Sequence, residues 1–233
     1  MSVALVTGTD NPRGIGRACV RSLAAAGFEV ACSVEPHGAG PEDAALVVPA
    51  DLADPGAPVR VLDAVGAALG PVTALVNNAA VSERDGFERL DAATLDRHHA
   101  VNVRATALLS CEVARRHRHG TAGRIVSLTS GQFLGPMPGE LAYTATKGAI
   151  EAFTRQLAAE VAHLGITVNA VGPGPTDTGW IDDALRADLE KRFPAGRIGE
   201  PADAARLVAW LCSPDAAWVT GQVIHSEGAF RRE

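Results

Sequence analysis

The chain has 233 residues, enough for one well-filled α/β domain, and no Pro-, Gly- or Ser-rich linker or shift in composition divides it. Its formal net charge of -6 argues against a surface for nucleic acid or anionic lipid, and a hydrophobic content of 47% argues against disorder. No apolar run approaches the roughly 20 residues that span a bilayer, and the N-terminus enters a strand rather than a signal peptide, so a soluble, cytoplasmic protein with no membrane partner is expected.

Short apolar runs alternate along the chain with stretches of helical periodicity, the pattern of a parallel sheet covered on both faces. Strands are predicted over 3–7, 29–34, 45–49, 73–76, 124–129, 166–171 and 222–225. Helices are predicted over 14–26, 58–69, 94–118, 142–164, 182–192 and 202–212, with the basic group RRHRH at 115–119 as a solvated helix end. The result is an α/β doubly wound parallel sheet of about seven strands in a single domain, residues 1–233, whose ligand lies beyond the carboxyl ends of the strands. Between the second and third strands only EPHGAGPEDA remains, room for a turn or two of helix, so that edge is expected to be thinly covered.

Cys19, Cys32, Cys111 and Cys212 are far apart and read as reduced residues, three of them within apolar helix or strand patterns. His98 and His99, with Asp91 and Asp96 nearby, do not make a metal site, because adjacent helical residues point about 100° apart and no Cys or His completes a shell. No metal is expected.

The first strand runs into TGTDNPRGIG, residues 7–16, and then into a helix. That context is better evidence for phosphate binding than the glycines alone. Gly14 would let its amide approach a pyrophosphate at the positive end of the helix, and Gly16 would let the helix pack close to the sheet. Further on, AYTATKGA places Tyr143, the only tyrosine, four residues before Lys147, one of two lysines. On a helix both side chains share a face. A phenol with pKa about 10 is a poor catalyst at neutral pH, and a neighbouring ammonium is expected to lower that pKa.

These two stretches together resemble the short-chain dehydrogenase/reductase family, whose fold is Rossmann-type and whose glycine motif is usually TGxxxGxG. Here two more residues separate the first glycine, Gly8, from Gly14. The insertion is expected to bulge the loop toward the adenosine side of a nicotinamide cofactor. The resemblance implies that Tyr143 protonates a substrate carbonyl while hydride arrives from the nicotinamide, and that Lys147 also binds the nicotinamide ribose. It implies Ser130 as the group that orients the substrate oxygen, with Ser127 and Thr129 as nearby rivals. Asn102, in HAVNVRA, matches the asparagine that bends its helix and holds a proton-relay water.

The same resemblance covers most of the chain. NNAA, residues 77–80, matches the family's NNAG, with Asn77 tying the central strands, Asn78 on the adenosine-ribose side and Ala79 permitting close approach. Asp51 and Leu52 match the pair that brackets the adenine, although Asp51 also reads as a turn cap. Ile15 would sit beside the glycines, while Pro173, Gly174, Thr176 and Thr178 would shape the loop at the nicotinamide. Residues 179–196 form a lid, in which Trp180, Ile181, Leu185 and Phe193 would meet either substrate or core.

For the cofactor, Glu35 just after the second strand would repel a phosphate and Arg13 just before Gly14 would attract one; the residues lean to NADP(H) over NAD(H). The implied activity is interconversion of a ketone and a secondary alcohol, with the 3-oxoacyl-carrier-protein reductase branch most similar. A dinucleotide-binding sensor or scaffold without turnover, or an epimerase or dehydratase using the same groups, are the alternatives. A small-molecule substrate and a homo-oligomer, dimer or tetramer, complete the expectation.

Overall fold

The computed structural model describes residues 2–118 and 120–232. Apolar, largely β-branched runs supply its strands: β1 (Val3–Thr7), β2 (Glu29–Val34), β3 (Leu46–Pro49), β4 (Val72–Asn77), β5 (Gly123–Leu128), β6 (Ile166–Gly172) and β7 (Val223–His225). They form one sheet in the order β3-β2-β1-β4-β5-β6-β7, and every pairing is parallel. Successive strand residues serve opposite faces: Ala4 and Val6 enter one core, Val3 and Leu5 the other.

Helices α1 (Ile15–Ala25), α2 (Ala57–Ala68), α3 (Ala92–His98), α4 (Thr106–Arg116), α5 (Leu141–Val161), α6 (Asp183–Arg192) and α7 (Pro201–Cys212) fill the connections. α1 and α7 cover one face of the sheet, through Val20, Leu23, Val208 and Leu211. α2, α4 and α5 cover the other, through Val61, Leu109 and Leu157. The fold is thus the doubly wound, Rossmann-type sheet expected.

Two connections differ from expectation. The helix predicted as continuous over 94–118 is broken: a π-helical segment, His99–Ala105, separates α3 from α4. Its wider turn costs some backbone geometry and is characteristic of functional positions. α4 ends at Arg116, so Arg115 and Arg116 occupy its last turn, His117 and Arg118 follow it, and His119 lies outside the described residues. The short β2–β3 connection carries turns and no helix. The lengthened glycine loop supplies cover instead, because Arg17 of α1 donates to Thr9 O, Asp10 O and Ala39 O and so bolts the two loops together.

Cys19 and Cys212 are buried on the α1/α7 face, and burial pushes both thiols up to about 12. Cys32 is buried in β2 and Cys111 is half-buried on α4. Asp91 caps α3 by accepting the Thr94 N–H at 2.8 Å, and buried His98 bonds Thr94 O and the Glu83 N–H.

Leu75 of β4 is fully buried among side chains of the α2/α4/α5 face. Leu75→Ala should lower unfolding free energy by about 2–5 kcal/mol in a urea titration, as large-to-small changes in packed cores do. A loss below about 1 kcal/mol would contradict the packing described.

Candidate active site

The strand order turns back on itself between β1 and β4, so the loops after these strands part and leave a cleft of about 390 Å³. Gly8, Gly14, Ile15, Gly16, Glu35, Leu52, Asn78, Ala79 and Thr178 of the expected cofactor residues line it. Gly8 has φ +68°, and a Cβ there would lie 2.6 Å from Ala79 Cα. A Cβ on Gly16 would lie 2.5 Å from Gly8 O and 2.6 Å from Asn78 Nδ2. Only glycine lets α1 point its N-terminus into the cleft at this range.

The amide of Gly14, however, donates to Asn11 O at 2.9 Å, within the inserted loop. The amides left to face the cleft are therefore those of the first turn of α1 from Ile15 onward, which have no helical carbonyl four residues back to bond. Asn78, which lines the cleft, also braces the loop: its Nδ2 donates to Thr7 O at 2.9 Å and Gly8 O at 2.7 Å. Asp51 Oδ1 accepts the Ala53 N–H at 2.8 Å in a turn, so of the adenine pair only Leu52 faces the cleft.

Arg13 is the clearest departure. Its guanidinium lies 3.4 Å from Asp177 Oδ1 and over Gly179, 63% exposed and outside the cleft lining. The inserted loop reaches the end of β2 through Asp10, whose Oδ1 accepts the Glu35 N–H at 2.8 Å. Asn11 of the same loop reaches the other way and donates to Thr178 O at 2.9 Å.

At the end of β5 three hydroxyls compete, and their partners separate them. Ser127 Oγ accepts from Asn77 Nδ2 at 3.2 Å, and Asn77 also reaches Ser110 Oγ at 3.0 Å, tying β4, β5 and α4. Thr129 Oγ1 bonds Glu151 Oε1 at 3.1 Å. Ser130 alone faces the phenol of Tyr143, with Met137 Sδ 3.5 Å from its Oγ.

Lys147 is 4% exposed and donates from Nζ to Leu128 O at 2.7 Å, with Nζ 5.4 Å from the Tyr143 ring centroid. Burial pushes its ammonium down to about 8. Burial, reinforced by the Glu140 carboxylate, pushes the Tyr143 phenol up to about 12, against the pull of Ser130. The phenol is thus raised where a lowering was expected, because desolvation outweighs the pull of Ser130.

Asn102 lies in the π-helical segment, 1% exposed. It accepts the Val81 N–H at 2.8 Å and donates to Val81 O at 2.9 Å and Thr146 Oγ1 at 3.0 Å. It is a strut between the loop after β4 and the helix that bears Tyr143 and Lys147.

Two acids that sequence reasoning missed hold these groups in place. Asp85, 5% exposed, accepts the N–H groups of Leu141 and Ala142, each at 2.8 Å, and so caps α5 two residues before Tyr143. Glu151, 2% exposed, accepts from Thr129 and from Gln132 Nε2 at 2.7 Å, clamping the chain on both sides of Ser130. Glu151 continues the 143, 147 spacing by four, the one sequence signal that could have found it.

Beyond β6, Gly174 has φ +64° and sits against Glu227, while Thr176 Oγ1 bonds Pro173 O at 3.3 Å and Gly174 O at 3.2 Å. Pro173, Gly174 and Thr176 therefore shape the loop without lining the cleft. Ile181, Leu189, Phe193 and Ile198 form a small buried cluster with Leu185 and Phe230, and Trp180 stays 53% exposed. Of the two roles open to the apolar side chains of 179–196, the core claims Ile181, Leu185 and Phe193. Chain after β7 closes the far side, where Arg232 pairs with Glu227 and packs against Gly131 and Gly135.

A glycine-floored cleft at the N-terminus of α1, with carboxylates at one end and Ser130, Tyr143 and Lys147 beside the strand ends, fits a dinucleotide lying across the carboxyl edge of the sheet. Among the described residues no helix is long and apolar enough to cross a membrane, and no group of three or more His, Cys, Asp or Glu is placed to hold a metal ion.

Comparison with known proteins agrees with this geometry. A family model described as enoyl-(acyl carrier protein) reductase matches residues 8–230. The uncharacterized oxidoreductase YjdA of Bacillus subtilis (strain 168) is 47% identical over 99% of this chain and 97% of its own length. The 3-oxoacyl-[acyl-carrier-protein] reductase FabG of Escherichia coli (strain K12) is 34% identical over 97% and 96%. A chloroplastic NADPH-dependent aldehyde reductase-like protein of Arabidopsis thaliana is 34% identical over 98% and 93%.

The Asp85 cap gives a pH test. Burial raises its pKa, but the N–H bonds from Ala142, Leu141 and Gly86 outweigh that and hold it below the ordinary carboxylate range. A lowered folded pKa contributes stability that is present above the unfolded value near 4 and lost as pH falls through the folded value. Asp85→Asn should therefore cost about 1–3 kcal/mol at pH 7, and the gap to wild type in denaturant titrations should shrink below about pH 4. A gap independent of pH would show that the charge of Asp85 does not matter.

Proposed function

The chain belongs to the short-chain dehydrogenase/reductase family and is a nicotinamide-dependent oxidoreductase acting on ketones, and from that premise we propose how its own residues divide the work. The observation that carries the proposal is the docking of α5 on β5, which brings Tyr143, Lys147 and Ser130 together at the carboxyl edge of the sheet.

When bound, the dihydronicotinamide supplies a hydride to the carbonyl carbon. Tyr143 gives its phenolic proton to the carbonyl oxygen as negative charge develops there. Ser130 donates a hydrogen bond to the same oxygen and fixes its position against the phenol. Lys147, held buried on Leu128 O, binds the cofactor ribose and favours the phenolate that remains. Asn102, between Val81 and Thr146, supports a proton path from Lys147 toward solvent. In the reverse direction Tyr143 acts as the base.

For the substrate, the name of the FabG relative supports a 3-oxoacyl compound and that of the Arabidopsis relative an aldehyde. Exposed Phe133, Leu134 and Trp180 near the site suit an apolar acyl chain better than a charged sugar, so we favour the 3-oxoacyl class. For the cofactor, the name of the Arabidopsis relative supports NADP(H), whereas the placement of Arg13 and Glu35 opposes it. Exposed Leu108 on α4 and Leu141 on α5 support a homo-oligomer formed through these helices. The four free cysteines support a cytoplasmic location.

Tyr143→Phe should lower kcat for ketone reduction by about 10²–10⁴-fold while leaving dinucleotide binding unchanged. Steady-state kinetics with a short 3-oxoacyl thioester, alongside fluorescence titration of the cofactor, measures both. A variant that keeps more than about a tenth of wild-type kcat would remove Tyr143 from the acid–base role.

A further inference from the structure

Resting on the nicotinamide-dependent reading, we infer that Asp10, carried into place by the two-residue insertion in the glycine loop, is a cofactor-selecting residue, and that with Glu35 it makes the protein prefer NAD(H) over NADP(H). The loop is not free to wander. Thr9 bonds Ser33 O through both its amide and its hydroxyl, at 3.2 and 3.3 Å. Arg17 holds the carbonyls of Thr9 and Asp10 from below. Asp10 Oδ1 then accepts the Glu35 N–H at 2.8 Å. Gly38 leaves the space the carboxylate occupies, since a Cβ there would lie 1.7 Å from Asp10 Oδ1.

Asp10 and Glu35 line the same end of the cleft as Ser33 and Val34, where an adenosine ribose would sit beyond the end of β2. Only Oδ1 of Asp10 has a hydrogen-bond partner among the described residues, which leaves Oδ2 to accept from a ribose hydroxyl in a charge-assisted bond. An added phosphate would instead face two carboxylates. Neither nearby arginine is placed to bond that phosphate: Arg13 is paired with Asp177, and the Arg17 guanidinium is engaged beneath the loop by three backbone carbonyls. The insertion thus moves a carboxylate to the position where Val34 provides none.

The test is titration of the purified protein with NADH and with NADPH, followed by nicotinamide fluorescence, for wild type, Asp10→Asn and Glu35→Gln. Asparagine keeps an oxygen for the Glu35 N–H, so the loop bond survives while the charge is removed. Wild type should bind NADH at least about tenfold more tightly than NADPH, and Asp10→Asn should lower that ratio about tenfold, with Glu35→Gln shifting it in the same direction. Tighter NADPH binding by wild type, or a ratio within about twofold of wild type in Asp10→Asn, would overturn the inference. So would an equal loss of both ligands in Asp10→Asn, which would make Asp10 a loop strut. Failure of wild type to bind either dinucleotide would overturn the nicotinamide reading itself along with this one.

Discussion

The reversal of strand order between β1 and β4 is the constraint from which the site follows. Loops that leave neighbouring strands for opposite faces cannot fill the space between them, and the gap must be bridged by hydrogen bonds instead of packing. Here Thr7 Oγ1 accepts the N–H groups of Asn78 and Ala79, each at 3.0 Å, and Asn78 returns two bonds to the carbonyls of Thr7 and Gly8. The cleft is held open by this lattice, and the N-terminus of α1 is aimed by it. Without that bracing the glycines would be only a flexible turn.

Buried polar groups do the corresponding work around the catalytic side chains. Asn77, Asn102, Thr129 and Glu151 are each no more than 4% exposed, and each joins two elements rather than capping one. Such groups stabilise little in net terms but are costly to leave unpaired, so they favour one arrangement over its near neighbours. Among the described residues Asn77 Oδ1, Gln132 Oε1 and Thr154 Oγ1 are buried without a protein partner, so strict satisfaction of the network lapses there. Ser130 is held more lightly: its hydroxyl donates to Met137 Sδ at 3.5 Å, a weak bond that a substrate oxygen would replace.

The sheet was legible because parallel strands buried on both faces are nearly continuous apolar runs, and boundaries such as Leu46–Pro49 and Gly123–Leu128 fall within a residue of the sequence reading. Tyr143 and Lys147 were legible because residues so scarce in this chain stand at helical spacing. The aim of a long side chain was not. Arg13 reads as a phosphate ligand by position, yet the insertion gives it Asp177 to pair with, a contact 164 residues away in sequence. The phenol's pKa was misjudged for a different reason: spacing places Lys147 near Tyr143 but does not reveal how strongly the phenol is desolvated. Asp85 carries no local signature, since its partners are the backbone amides of Leu141 and Ala142, and Glu151 shows only its spacing, since the hydroxyl it bonds lies in the loop just after β5.

The π-helical segment hid from sequence because the buried polar residues His98 of α3, Asn102 within it and Thr106 of α4 stand at intervals of four, close to an ordinary helical repeat. Structurally it is a stored insertion. Removing one residue beside Asn102 within this segment would let the backbone close into regular α-helix with α3 and α4 nearly in their present register, but the wide turn that presents Asn102 would be lost. Asn102 could then no longer meet both Val81 and Thr146. What this asparagine does is written in the number of residues around it as much as in its identity, so substitutions at position 102 probe only half of the requirement and a single-residue deletion probes the other half.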